Sequence, residues 1–382
     1  MQKNLKIIYL AGFLFSIPVA LTSYINSTFL KSFVSEYTVS FIYVVASIVT
    51  ILGLLKMPKI LSRLGNRKAT LYFSIICFFS LLILAFGKIS ALVIPAFVLF
   101  FVTTNFLIAT LDIFIEDFSN NVSVGKFRGL YLMFINLAWV TSQAISGTVI
   151  AKSSFLGIYL LSALFMITVS SVFILFLHDF KDPKYTKVSI LKTLKSFVRN
   201  KNIFKIYLLN LILKFFFVWM IVYTPIYLHE YLGFDWTKIG FIFTIMLLPF
   251  IFLTFPLGKL SDKIGEKKML LMGFFIATIF TLLMPFIKTP IFLVWAGILF
   301  MTRVGAATIE IMTETYFFKI VTEENADEIS FFRNTTPVSF LIAPLFAIPI
   351  LMFTPSFAYI FFVLGAILLG GLFITLRLKD IK

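Results

Sequence analysis

From Lys6 to Leu376 the chain is a series of twelve apolar runs, each ended by charged, proline or glycine residues. A bilayer core of about 30 Å takes roughly 20 helical residues, and the runs have that length. They lie near residues 6–29, 38–58, 69–87, 90–117, 128–151, 155–177, 204–228, 237–258, 269–287, 290–318, 329–352 and 355–376. Only 13% of the 382 residues are charged, against about a quarter in a soluble domain, so there is too little polar surface for a fold in water. The expectation is an all-α, multi-pass membrane protein with twelve transmembrane helices. The first run follows Lys3 and Lys6 in the manner of a signal peptide, but it is too long and lacks a small-x-small cleavage site. It reads as an uncleaved first helix.

The net charge of +16 argues for orientation rather than for nucleic acid, because the basic residues fall in the short segments between runs. If both termini are cytoplasmic, that side holds 26 of the 33 Lys and Arg residues and the opposite side five: Lys31, Lys88, Lys152, Lys238 and Lys288. The bias sets both termini inside, and a bacterial plasma membrane is the expected location. The longest polar interval, 178–203, falls midway. Val188, Leu191, Leu194 and Val198 form an apolar stripe there, opposite Lys192, Lys195 and Arg199. Such a segment reads as an amphipathic helix on anionic headgroups, or simply as a solvated linker. The expected divisions are 1–177, 178–203 and 204–382. Lipid-facing surface accepts Phe, Ile and Leu about equally. The 50 phenylalanines are therefore read as compositional drift and given no functional weight.

The two halves repeat. Residues 58–68 read PKILSRLGNRK and residues 258–268 read GKLSDKIGEKK, so that Lys59, Gly65, Arg67 and Lys68 match Lys259, Gly265, Lys267 and Lys268 at an offset of 200. Asn105, Asp112 and Glu116 correspond to Arg303, Glu310 and Glu314 at an offset of 198. The connections that follow end in KFRG (126–129) and FFRN (331–334). In the second loop, Gly258 would let two helix ends approach closely, and Gly265 would supply a turn conformation other residues resist. Asp262 can face a helix N-terminus or a basic side chain. The other reading of Lys259, Lys263, Lys267 and Lys268 is as topology determinants alone.

Six plus six helices, a basic central loop and GKLSDKIGEKK resemble the major facilitator superfamily, whose signature loop is G-x-L-x-D-[RK]-x-G-x-[RK]-[RK]. The first copy departs from it, with Pro58 for the first Gly and Ser62 for the Asp. The resemblance implies two pseudo-symmetric six-helix bundles, with helices 1, 4, 7 and 10 lining a central cavity. It also implies a cytoplasmic gate in which Asp262 meets the start of helix 5, where Arg128 lies.

Charges at membrane depth are costly and usually face a cavity or pathway. Lys214 lies about ten residues into the seventh run and Arg303 about thirteen into the tenth, near the midplane. Arg303, Glu310 and Glu314, spaced by seven and four, share one helical face. Both cations are expected in a wet pocket, where they recognise an anionic or hydrogen-bonding solute. The alternative is an internal ion-pair network such as Arg303 with Glu310. Desolvation disfavours a charged carboxylate, which suits Asp112 and Glu310 to carry a proton; a fixed salt bridge is the other reading. Glu116 with Arg128, and Glu314 with Arg333, are expected as cytoplasmic gate pairs. The acidic run Glu323, Glu324, Asp327 and Glu328 would serve the positive end of the eleventh helix.

Weaker polar signals come from Tyr24, Asn136, Trp139, Gln143 and Tyr223 as solute contacts, with Tyr24 and Tyr223 at an offset of 199. Thr22, Ser23 and Trp219 belong to the same group, though membrane Ser and Thr usually bond their own backbone. Pro337 suggests a kink in the eleventh helix. One cysteine, Cys77, and two distant histidines, His178 and His229, leave no metal site, and no cofactor is expected. A G-x-x-x-x-G-K-[ST] loop is absent, and so are a TVGYG-like filter, the drug-antiporter signature G-x-x-x-G-P-x-x-G-G and the sugar-transporter motif PESPR. The reading that remains is a non-enzymatic, monomeric secondary active transporter. It moves a small polar or anionic solute by alternating access with proton coupling; its partners are the solute, the lipid bilayer and protons, not nucleic acid. A polytopic membrane enzyme or lipid-handling protein, and a transporter-like sensor without flux, are the rivals.

Overall fold

The computed structural model describes residues 2–118, 124–176, 201–320, 332 and 334–379. Among these residues every regular element is helical. In chain order they are α1 (Gln2–Ser23), α2 (Asn26–Lys31), α3 (Glu36–Leu64), α4 (Asn66–Phe86), α5 (Ser90–Phe118), α6 (Val124–Phe176), α7 (Lys201–Ile226, continued by a π-helical turn at Tyr227–Tyr231), α8 (Trp236–Leu247), α9 (Pro249–Phe252), α10 (Thr254–Ile264), α11 (Glu266–Leu283), α12 (Phe292–Ile320), α13 (Thr335–Phe353) and α14 (Tyr359–Leu376).

Nine helices among the described residues are long and apolar enough to cross a membrane, and Ile7–Ser23 and Trp236–Phe252 are shorter apolar segments. One of the nine, Met133–Phe176, has 44 residues, about 66 Å at 1.5 Å per residue. That is twice the hydrocarbon core, and the chain breaks where two spans must part: Ser154 takes φ 54° and ψ −165°. With this helix counted as two spans and the two shorter segments as one each, twelve result among the described residues.

Proline and hydroxyl groups explain where the helices depart from the expected runs. The first run breaks after Ser23 and resumes at Asn26, leaving Tyr24 and Ile25 in a turn. Thr22 donates there to the Pro18 carbonyl at 2.9 Å, a back-bond that tends to bend helices. The eighth run is interrupted at Leu248 and Leu253, because Pro249 and Pro256 have no N–H and crowd the carbonyls four residues earlier. At the kink expected from Pro337, Phe332 is helical and Asn334 lies in a turn, so an interruption falls one turn ahead of the proline. α13 starts at Thr335, so Pro337 sits in the first turn, where a missing N–H costs nothing. Pro344 and Pro349 are the prolines inside that helix.

The repeated loops fold alike. Gly65 (φ 75°, ψ 154°) joins α3 to α4, and Gly265 (φ 87°, ψ 148°) joins α10 to α11. Both occupy the positive-φ region that side chains resist. Among the described residues a Cβ on Gly258 would meet nothing within 4 Å. Close approach occurs instead between α11 and α12. A Cβ on Gly305 would stand 2.6 Å from the Gly273 carbonyl oxygen and from the Ala277 nitrogen.

Two compact units result: Met1–Lys187 with Asp235–Gly240, and Val188–Phe234 with Phe241–Lys382. In the first unit α1 packs on α6, α4 on α5 and α6, and α3 on α5. Ser170 donates to Ser74 at 2.8 Å, and Arg67 donates to the Ile174 carbonyl at 2.8 Å, so the end of α6 is the part that meets α4. In the second unit α7 packs on α13, α11 on α12 and α14, and α9 and α10 on α12. The scheme is the same in both: first span with fifth, third with fourth and sixth, second with fourth. At the start of each third span a buried side chain reaches the fourth. Asn66 donates to the Thr110 carbonyl at 3.0 Å; at the matching position Glu266, 2% exposed, pairs with Lys319.

Candidate functional site

α7 and α12 pack against each other, and their charges meet well inside the spans. Lys214 stands about 20 Å along α7 from Lys201, and Arg303 about 17 Å along α12 from Phe292. The Lys214 ammonium pairs with Glu310 Oε1 at 2.6 Å, with the two side chains 20% and 28% exposed. Lys214 Nζ also lies over the Phe217 ring, 5.2 Å from its centroid. The Arg303 guanidinium lies over Phe216 at 5.1 Å and over the same Phe217 ring at 5.3 Å. Glu314, one turn beyond Glu310, is exposed and adds a second negative charge that acts on Lys214.

The structure therefore brings together Lys214, Arg303 and Glu310. Glu310 pairs with Lys214 from the facing helix rather than with Arg303, which lies two turns away on its own helix. Arg303 is 1% exposed, whereas the Lys214–Glu310 pair is partly exposed. Phe216 and Phe217 were missed by sequence reasoning. Their signal was the run Lys214-Phe-Phe-Phe, which was hidden among 50 phenylalanines.

Toward the far end of α7 the side chains are aromatic at every fourth position. Phe215 stacks on Trp219 at 5.0 Å, Trp219 meets Tyr223 at 5.4 Å, and Tyr223 faces Phe357 at 6.4 Å. Tyr227 and Tyr231 continue the stripe through the π-helical turn. Trp219 and Tyr223 are fully buried. A π-helical turn inserted in a helix is often found at a functional site.

In the first unit, Tyr24 lies in the break between α1 and α2 and meets the edge of Trp139 at 6.2 Å. Asn136 is half-buried one turn before Trp139. Gln143 is buried and donates to the Ala20 carbonyl at 2.6 Å, bracing α6 against α1. Asn105, which matches Arg303, turns its amide back to the Phe101 carbonyl at 2.9 Å. Asp112 is half-buried on α5. Most helix hydroxyls bond their own backbone as expected, including Ser16 to Gly12 and Thr50 to Ala46.

The expected gate is placed only in part. Glu116 belongs to α5, Arg128 to α6 and Asp262 to α10, but their side chains lie outside the described residues. Arg333, the acidic run 323–328 and the amphipathic segment 188–199 also lie outside them. No group of His, Cys, Asp and Glu that could hold a metal occurs among the described residues.

Just ahead of α8, Asp235 accepts the Lys238 backbone N–H at 2.9 Å and pairs with the Lys238 ammonium at 3.1 Å. The backbone bond, followed by the lysine, holds this carboxyl below its ordinary value.

The family model described as Major Facilitator Superfamily matches residues 8–245 and 222–381. No curated protein matches the chain.

Proposed function

The chain belongs to the major facilitator superfamily and is a multi-pass membrane transporter, and we propose that it is a secondary active carrier that moves a small anionic or polar solute by alternating access, with a proton as the coupling ion. The observation that carries this reading is the Lys214–Glu310 pair at 2.6 Å inside the membrane span. An isolated charge at that depth costs about 2.5–3.5 kcal/mol on insertion scales, so each of these groups is held by the other. A proton that neutralises Glu310 releases the Lys214 ammonium, which must then find another anion. A carboxylate or phosphate group on the solute is the natural replacement, with Arg303 as a second cation. Binding of the proton and binding of the anion thereby favour each other.

Asp112 is the second candidate proton carrier, by its correspondence to Glu310. Tyr24, Asn136 and Trp139 are the polar contacts proposed in the first half, and Trp219 and Tyr223 form an aromatic wall in the second. Asp262, Glu116 with Arg128, and Glu314 with Arg333 are proposed as the cytoplasmic gate. The carrier works as a monomer in a bacterial plasma membrane with both termini cytoplasmic.

The test is reconstitution into proteoliposomes with an imposed pH gradient and a panel of labelled organic anions and phosphates. Uphill accumulation that Lys214→Ala and Arg303→Ala abolish, in protein that remains folded, supports the reading. Accumulation that survives both changes removes the cation site, and accumulation that survives loss of the pH gradient removes the proton.

A further inference from the structure

The chain just past α14 is tied to two other helices. α14 ends at its cap residue Arg377, and carbonyls at a helix end need donors from elsewhere. Lys205, in the second turn of α7, donates to the Arg377 carbonyl. Tyr316, near the end of α12 and 1% exposed, donates its hydroxyl to the Lys379 carbonyl at 2.8 Å. Leu378, between those two carbonyls, is 2% exposed, and its N–H returns to the Thr375 carbonyl at 3.0 Å. Residues 377–379 are thus a strap, fixed to α7 at one end, to α12 at the other, and by a buried apolar side chain between them. Those are the helices that carry the Lys214–Glu310 pair. Lys205 lies about 13–14 Å before Lys214 and Tyr316 about 9 Å beyond Glu310, so the strap and the pair join the same two helices at different heights. The first half lacks this arrangement. Arg67 on α4 donates to the Ile174 carbonyl there at 2.8 Å, from a helix that is neither α1 nor α5. At the offset of 198 that relates Glu310 to Asp112, Tyr316 corresponds to Phe118, which has no hydroxyl.

We infer that Lys205 and Tyr316 are positioning residues: through the strap they keep α7 and α12 in register while the Lys214–Glu310 pair is open, so that the pair closes again on the same partners. The two links differ in kind. An ion pair is lost when another group takes either charge, whereas the strap ends on main-chain carbonyls, which stay acceptors whatever the pair does. Either link alone holds the helices, and loss of both frees them. That the pair opens in the working cycle rests on the proposed carrier reading; that the two links are redundant does not.

Spin labels test the redundancy in full-length protein reconstituted in lipid nanodiscs. They are placed at Lys201→Cys on α7 and Phe318→Cys on α12, both exposed positions, in a Cys77→Ala background, and pulsed dipolar spectroscopy gives the distribution of their separations. Glu310→Gln opens the pair, and Lys205→Met with Tyr316→Phe opens the strap. Each alone should keep the narrow distribution of the unaltered protein. All three changes together should widen it several-fold, the non-additive loss expected of coupled links. Lys205→Arg in place of Lys205→Met, with Tyr316 restored, keeps the donor and should return the narrow distribution in the Glu310→Gln background. Arg67→Met in that same background removes a carbonyl cap in the first half and should change nothing. A triple variant as narrow as the unaltered protein, or a wide distribution from either link opened alone, overturns the inference. If the triple variant does not fold, Tyr316→Phe with Glu310→Gln takes its place, and a width equal to that of Glu310→Gln alone overturns it. Neither solute nor gradient enters the measurement, so the strap can fail while transport stands, and transport can fail while the strap holds.

Discussion

Removing either partner of the Glu266–Lys319 pair should have very unequal effects. Glu266 opens α11 directly after Gly265 and its side chain is 2% exposed, whereas that of Lys319, near the end of α12, is 44% exposed. Lys319→Ala leaves a carboxylate buried without its counter-charge, a class of change that costs about 3–5 kcal/mol. The positive end of α11 offsets roughly 0.3–1 kcal/mol of this, leaving a loss of about 2–4 kcal/mol. Glu266→Gln keeps the shape and leaves a lysine that solvent can already reach. Its loss is that of an exposed pair, about 0–1 kcal/mol. The gap of about 1–4 kcal/mol corresponds to roughly 5- to 700-fold in the unfolding constant at about 1.4 kcal/mol per tenfold. Reversible unfolding of the purified variants in mixed detergent–lipid micelles measures it, and the double variant should lie close to Glu266→Gln alone. Equal losses, or a larger loss for Glu266→Gln, would refute the claim that burial of the carboxylate sets the energetics of this joint.

Three further outcomes follow from the geometry. Glu310→Gln removes the group that holds Lys214, so proton-driven accumulation should be lost while solute exchange across the membrane persists; a counterflow assay separates the two. Gly305→Ala places a methyl group 2.6 Å from backbone atoms and should cost about 1–3 kcal/mol through overpacking. Gly258→Ala enters open space and should be neutral or stabilise by about 0.5–1 kcal/mol, which thermal unfolding will distinguish. Asp235→Asn should lose no more than about 1 kcal/mol, because the cap is exposed. Since the folded carboxyl is held below its unfolded value of about 3.9, its contribution is present above that pH and fades as pH falls through the folded value. The deficit seen at neutral pH should therefore vanish in acid.

The spans were legible because length and hydropathy alone decide whether a segment can cross a bilayer. The turns at Gly65 and Gly265 were legible because a glycine in a repeated loop has one common use. The break at Ser154 was legible as well, since it falls between the expected spans 128–151 and 155–177; what was not legible is that a single residue makes it, inside a helix that otherwise runs through 44 residues. Gly258 is a related case. The motif marks it, but close packing depends on what lies opposite, and Gly273 and Gly305 face each other with no motif at all. At the site, charge at membrane depth pointed to Lys214, Arg303 and Glu310. Their pairing depended on which helix faces which, and composition concealed Phe217.

The two halves share a scaffold and differ in charge. Where the first half has Asn66 and Asn105, the second has Glu266 and Arg303. At the offset of 199 that relates Tyr24 to Tyr223, Lys214 corresponds to Phe15, a buried aromatic residue. The carboxylate pairs Asp112/Glu116 and Glu310/Glu314 are present in both halves, so whatever interacts with Asp112 is not a copy of Lys214. Duplication accounts for the helix packing and the two carboxylate positions, which a scaffold retains without regard to solute. The cations and their shared ring occur only in the second half, where they carry the burial costs that a structure preserves when function requires them. Specificity for an anion is therefore expected to move with α7 and α12. Replacing Phe15 and Asn105 by Lys and Arg in the first half should not create a second anion site, because position 18, the match to Phe217, is proline.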